Sequence, residues 1–224
     1  MDVWSDKAFF YKKENRFEAF DNVRIVQGDS LVLTSKTVNY DGKIKLAVAK
    51  EQVELDNKEM LLKTDTLYFA RSQSIAYYPA NVTVSYSLTT INSKRGTYVS
   101  DTKKYKFENK VVVTNPDFTL TSARMDFYTE TKHAFFYGAT TIIGEDYVVR
   151  CREGFYNTDK KEGYFKKNAS IDYNNRNIIG DSIYFNDTQK YASATQNIRI
   201  TDTINNSFIT GNYGQVFKEK DSAM

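Results

Sequence analysis

Leu61-Leu62-Lys63-Thr64-Asp65-Thr66-Leu67-Tyr68-Phe69 alternates apolar and polar residues, but the alternation changes phase in the middle. Leu62 lies two before Thr64, whereas Leu67 and Phe69 lie three and five after it. Side chains along a strand point to opposite faces in turn, so a one-residue phase change carries the apolar set to the other face. A strand with this pattern keeps both halves against one core only if it bends or bulges at the change. The stretch therefore predicts a strand folded over next to Asp65.

Six further segments follow the same plan when anchored at Gly28, Ser93, Ser122, Cys151, Gly180 and Gly211. With Thr64 included, the spacings run 36, 29, 29, 29, 29 and 31 residues. Two before each anchor stand Val26, Leu62, Ile91, Leu120, Val149, Ile178 and Ile209. Three after stand Leu31, Leu67, Gly96, Met125, Gly154, Ile183 and Gly214, and five after stand Leu33, Phe69, Tyr98, Phe127, Tyr156, Phe185 and Val216. A second strand follows each polar turn, marked at plus fourteen by Tyr78, Phe107, Phe136, Phe165 and Ala194 and at plus twenty by Val84, Val113, Ile142, Ile171 and Ile200. Self-similarity at a fixed period is the mark of a repeat architecture. Bends are expected at or next to Asp29, Asp65, Lys94, Ala123, Arg152 and Asp181, and the first repeat reads as seven residues longer than the rest, with the excess in Asn39-Tyr40-Asp41-Gly42-Lys43.

The composition agrees. Of 224 residues, 41% are apolar, 26% charged and 15% aromatic, with Tyr 17, Phe 15 and Pro 2, which favours strands over helices and excludes a disordered tail. No run of about 18 apolar residues is present to cross a bilayer as a helix. The net charge of +3, evenly spread, excludes a nucleic-acid binder. A single His (His133) and a single Cys (Cys151) exclude intrachain disulfides and multi-His metal sites. Residues 1–224 read as one domain, in which the first fifteen residues form a strand or a leader. Met1-Asp2-Val3-Trp4 carries no basic or apolar signal-peptide region, which fits a cytoplasmic protein or a mature fragment. The C-terminal run Val216-Phe217-Lys218-Glu219-Lys220 reads as the start of a strand, either in a longer chain or at a frayed natural end.

Phe20-Asp21-Asn22-Val23-Arg24-Ile25-Val26-Gln27-Gly28-Asp29-Ser30-Leu31, Pro79-Ala80-Asn81-Val82-Thr83-Val84, Leu62 to Phe69 and Ile179-Gly180-Asp181-Ser182-Ile183-Tyr184-Phe185 together resemble the OstA-like family. That family includes the periplasmic lipopolysaccharide-transport protein LptA and the N-terminal domain of the outer-membrane translocon LptD. The resemblance covers residues 16–217. It implies an all-β, elongated, twisted β-jellyroll, here of about seven two-strand repeats of roughly 29 residues. It further implies a periplasmic, outer-membrane-associated, non-enzymatic carrier that shields the acyl chains of lipopolysaccharide or a related amphiphile in an apolar groove. The implied partners are other OstA-like jellyrolls stacked edge to edge, with no cofactor, no metal and no nucleic acid.

On the residues themselves, the expected groove face carries Phe69, Tyr98, Phe127, Tyr156 and Phe185, with Leu67, Met125 and Ile183 beside them. An acyl chain needs only a dry continuous surface, worth about 0.8 kcal/mol per buried CH₂. Gly96, Gly154 and Gly214 alternate with the larger residues and leave room for something other than protein, or else relieve the bend of an ordinary core. His133 reads as a solvated turn residue and Cys151 as a small buried side chain. Asp29, Asp65 and Asp181 recur as bend positions rather than as the paired carboxylates of a glycosidase. Three classes of function stand beside one another: a lipid conduit, a structural or adhesive β-repeat protein of the cell envelope, and a polysaccharide-acting enzyme on a β-solenoid.

Overall fold

The computed structural model describes residues 2–28, 31–189 and 191–217, and the backbone of 222–223. The chain forms two compact units, Met1–Pro116 and Asp117–Met224. Every strand pairing described in either unit is antiparallel, as short polar turns between successive strands require.

The first unit contains β1 (Asp2–Trp4), β2 (Lys7–Tyr11), β3 (Arg16–Gln27), β4 (Leu31–Asp41), β5 (Leu46–Asp56), β6 (Met60–Ala70), β7 (Ile75–Tyr78), β8 (Val82–Tyr86), β9 (Thr89–Ser93), β10 (Arg95–Val99) and β11 (Lys104–Thr114). A single 3-10 turn, Arg71–Gln73, follows β6. The N-terminal strands β1 and β2 both pair with β3, one along each half of it. The second unit contains β12 (Phe118–Tyr128), β13 (His133–Gly144), β14 (Tyr147–Asn157), β15 (Glu162–Tyr173), β16 (Arg176–Asn186), β17 (Tyr191–Asp202), β18 (Ser207–Phe217) and β19 (Ser222–Ala223).

Each long strand turns a corner at its middle, where the pairing skips. In the β14/β15 ladder Arg150 opposes Ser170 and Glu153 opposes Lys166, so three residues of β15 face two of β14. The same skip falls at Ala123, at Gly180-Asp181 and between Lys50 and Val53 opposite Asp65. The bends expected at Asp65, Ala123, Arg152 and Asp181 are found there; Asp29 lies outside the described residues. At Lys94 the strand breaks in two while the sheet continues, since Lys94 donates its N–H to the Asn109 carbonyl at 3.0 Å and β11 pairs on both sides of the break. Pro79 offers no N–H to a ladder, so the second strand of that repeat splits into β7 and β8, and the strand that follows splits into β9 and β10, while β6 runs unbroken beside them.

The corner is built from left-handed residues on the partner strand. Glu51-Gln52, Asn109-Lys110, Lys167-Asn168 and Gln196-Asn197 all have φ between 51° and 63°, and Gly138 stands at the same place in its repeat with φ 83°. Left-handed backbone costs a non-glycine residue roughly 1–2 kcal/mol, and glycine in an element costs about 0.5–1 kcal/mol in entropy. Exposed Gln196→Gly is therefore expected to raise stability by about 0.5 kcal/mol, read as a small rise in the urea midpoint at unchanged slope.

On the other strand the anchor side chain turns inward and supplies what the skipped ladder lacks. Ser35, Ser93 and Ser122 donate their hydroxyls to the carbonyls of Thr37, Arg95 and Arg124 at 3.1, 3.2 and 3.0 Å. Ser122 also meets the Thr140 hydroxyl at 2.9 Å, and Thr140 donates to the Gly138 carbonyl on the bulged strand. A buried peptide oxygen left without a donor is costly, which explains why a small residue, often a hydroxyl one, recurs at this position.

Ser35 also corrects the repeat. The first anchor is Ser35, not Gly28: β4 skips between Thr34 and Thr37, and Val38 at plus three is buried. Gly28, with φ 61°, lies past the end of β3. The first repeat is 29 residues long like its neighbours, and Asn39-Tyr40-Asp41 belongs to β4 rather than to an enlarged turn.

Candidate functional site

The two halves of each bent strand form two walls. In the second unit, one wall carries the residues before the anchors: Leu120, Ile142, Val149, Ile171, Ile178 and Ile200, all buried. The other carries those after them, and here large and small residues interlock along the cross-strand rows. In the row Met125, Phe136, Gly154, Phe165, Ile183, Ala194, each residue is the Cα partner of the next. The next row out reads Phe127, Ala134, Tyr156, Gly163, Phe185, Ala192, Val216. Both rows point inward, since their members sit two residues apart on the same strands.

This interlocking answers what the glycine column is for. A Cβ on Gly154 would come within 3.1 Å of the rings of both Phe136 and Phe165. A Cβ on Gly96 would overlap the Tyr78 hydroxyl, which meets the Ser93 hydroxyl at 2.9 Å. The space at Gly96 and Gly154 is thus filled by the protein's own rings, and the expectation of room for something else at these positions is corrected. Tyr78 and Tyr105 have their ionisation pushed far up by burial, so both stay neutral.

The expected groove residues separate by environment. Leu67, Met125 and Ile183 are buried, and Phe127 keeps 6% of its surface exposed. Tyr98, Tyr156 and Phe185 are half-buried, and Phe69, at 37%, is exposed. Met125, Phe127, Tyr156, Ile183 and Phe185 share the second unit's inner face; Leu67, Phe69 and Tyr98 belong to the first unit. Ile209, in the apolar column before the anchors, is 59% exposed.

The described residues of the second unit border at least two cavities. One, of about 40 Å³, is bordered by Ile171, Ile178, Ala192 and Val216 and by the polar side chains of Asp146, Tyr173, Asp187 and Tyr191. Another, of about 10 Å³, lies among Leu120, Phe136, Ile142, Val149 and Phe165. Tyr147 and Phe185 border both. The edges of the two walls meet along a seam where Tyr147 touches Phe185, ring centroids 5.2 Å apart, and Phe118 meets Tyr156 edge-on at 6.1 Å. Lys161 pairs with Asp117 at 3.3 Å on the same seam. Tyr147 lies over Gly144, where a side chain would overlap its ring. Burial, with the carboxylates of Asp187, Asp117 and Asp146 adding to it, pushes its hydroxyl up to about 12.

Sequence reasoning missed Phe118 and Tyr147, which stand four before their anchors. Their parity with Leu120 and Val149 is the signal that extends the inner row outward to the lip. His133 opens β13 rather than lying in a turn; its ring packs against Phe155 at 5.0 Å, and its Nε2 meets the Asn157 amide at 3.3 Å. Cys151 is buried at its corner, and burial raises its thiol to about 11, so the thiolate needed for reactivity is scarce at neutral pH. Asp65 and Asp181 are exposed at the corners, and Asp181 accepts a hydrogen bond from Asn197 across the bulge at 2.7 Å.

Comparison with known proteins gives one family. The family model described as OstA-like protein matches residues 1–123, more than half of the chain. No curated protein matches. Among solved structures, the chain is similar to LptH of Pseudomonas aeruginosa, described as the LptA-homologous periplasmic component of the conserved lipopolysaccharide transport device. That likeness is at 16% identity and a TM-score of 0.27, over 57% of this chain and 75% of that one.

Proposed function

Because the chain belongs to the OstA-like protein family, we propose that it is a non-enzymatic carrier in lipopolysaccharide transport, active in the periplasm and leading towards the outer membrane. The observation that supports this most is the interior of the second unit: two apolar walls meeting at a seam of ring contacts rather than of ladder hydrogen bonds. Acyl chains would lie between the walls against Phe127, Tyr156, Phe185, Met125 and Ile183, and in the first unit against Leu67, Phe69 and Tyr98. The cavities of about 40 and 10 Å³ are far below the roughly 300–1,000 Å³ of a ligand pocket, so cargo enters only as the walls part. Strands β1 and β2 at one edge, and β18 with β19 at another, offer backbone groups to the sheets of other OstA-like jellyrolls.

Lipid extracted from the chain purified from a lipopolysaccharide-making host tests the reading. Mass spectrometry is expected to find lipid A species with the protein, and to find them depleted when Phe127 is replaced by Glu. A structural or adhesive envelope protein would carry none.

A further inference from the structure

We infer that the Tyr147–Phe185 ring pair is a removable partition, and that moving it joins two cavities of the second unit into one bore that admits acyl chains. The inference rests on the carrier reading above and adds to it a path. Tyr147 is the first residue of β14 and Phe185 the last but one of β16, so β15 lies between their strands and no ladder hydrogen bond links them. The two rings meet at this point of the seam, 5.2 Å apart and tilted by 49°. Both rings border both cavities, so they are what separates the two.

Aliphatic side chains stand on either side of the partition: Ile171, Ile178 and Val216 in one direction, Leu120, Ile142 and Val149 in the other. These side chains offer dispersion contact to a polymethylene chain, and Asp146, Tyr173, Asp187 and Tyr191 add polar groups to the border of the first cavity. Tyr147 keeps its hydroxyl neutral, because burial raises its ionisation to about 12, so the partition brings no charge to the bore. The seam's other supports, Phe118–Tyr156 and Lys161–Asp117, hold its edges while the partition moves.

Stopped-flow binding of 11-(dansylamino)undecanoic acid to the whole chain tests this. Phe185→Leu shortens the partition while leaving an apolar side chain, and is expected to raise the association and dissociation rates at least tenfold while changing Kd less than threefold. Tyr164→Leu, on the exposed outer face, is expected to leave both rates within twofold. Equal rates in wild type and Phe185→Leu, with the probe bound by both, would overturn the partition and leave the carrier reading standing. A wild-type chain that does not bind the probe would sink the carrier reading and the partition with it. Should Phe185→Leu fail to fold, 4-fluorophenylalanine at position 185 gives the answer in an otherwise unaltered chain. Its fluorine resonance is expected to shift or split on adding the probe, and an unmoved resonance at saturation would overturn the partition.

Discussion

Phe127→Glu is expected to lower stability by several kcal/mol at neutral pH and to abolish retention of acyl-chain ligands. Phe127 is 6% exposed on the inner face of β12, with Ala134 as its Cα partner and Met125 two residues before it. A carboxylate placed there has lost its water, so it is ionised at a cost of several kcal/mol or protonated at a raised pKa. The folded state then binds a proton more tightly than the unfolded chain, whose Glu titrates near 4.3. Stability of the variant must therefore fall as pH rises from about 4.3 through the raised folded-state value, and level off above it. Thermal melts of wild type and variant across pH 4 to 8 check this: the gap between midpoints should be smallest at the acid end. A gap independent of pH would mean that the carboxylate reaches solvent and that position 127 does not face the interior.

Phe165→Ala is expected to cost about 3–5 kcal/mol, the range for removing a fully buried phenyl ring. Phe165 is 1% exposed and lies between Gly154 and Ile183, its cross-strand partners. Its ring crowds the position a Cβ on Gly154 would take, at 3.1 Å. Gly154→Ala alone should destabilise by about 1–3 kcal/mol through overpacking. In the Phe165→Ala background that penalty should shrink, because one of the two rings in the way is gone. A double-mutant cycle by urea unfolding is expected to give a favourable coupling of about 1 kcal/mol. Strict additivity would show that the glycine column and the aromatic column are not fitted to one another.

The all-β fold was readable from the phase change in each strand, and the corners at Asp65, Ala123, Arg152 and Asp181 fell where the change predicts them. One anchor was misread for a local reason. Gly28-Asp29-Ser30-Leu31 and Gly180-Asp181-Ser182-Ile183 are nearly the same string, yet Gly180 lies at a mid-strand corner and Gly28 past the end of β3. The period of 29 separates them: it selects Ser35, whose hydroxyl does what those of Ser93 and Ser122 do. The double left-handed residues at the corners carry no single residue type, being Asp-Asn, Glu-Gln, Asn-Lys, Lys-Asn or Gln-Asn, so composition could not mark them. Nor could a strand-by-strand reading find the seam. Tyr147 and Phe185 meet because the walls fold over, and neither sequence distance nor ladder register joins them.

The most direct test of the account is site-specific photo-cross-linking in a lipopolysaccharide-making host, with benzoylphenylalanine placed in turn at Phe127 and Tyr156 on the inner rows and at Phe155 and Tyr164 on the outer face. Phe155 and Tyr164 are cross-strand partners of one another, one residue away in β14 from the inward-facing Tyr156. The account predicts ultraviolet-dependent lipid adducts at positions 127 and 156 and none at 155 and 164. Adducts at 155 and 164 with none at 127 and 156 would contradict it, placing the lipid on the outside of the sheet.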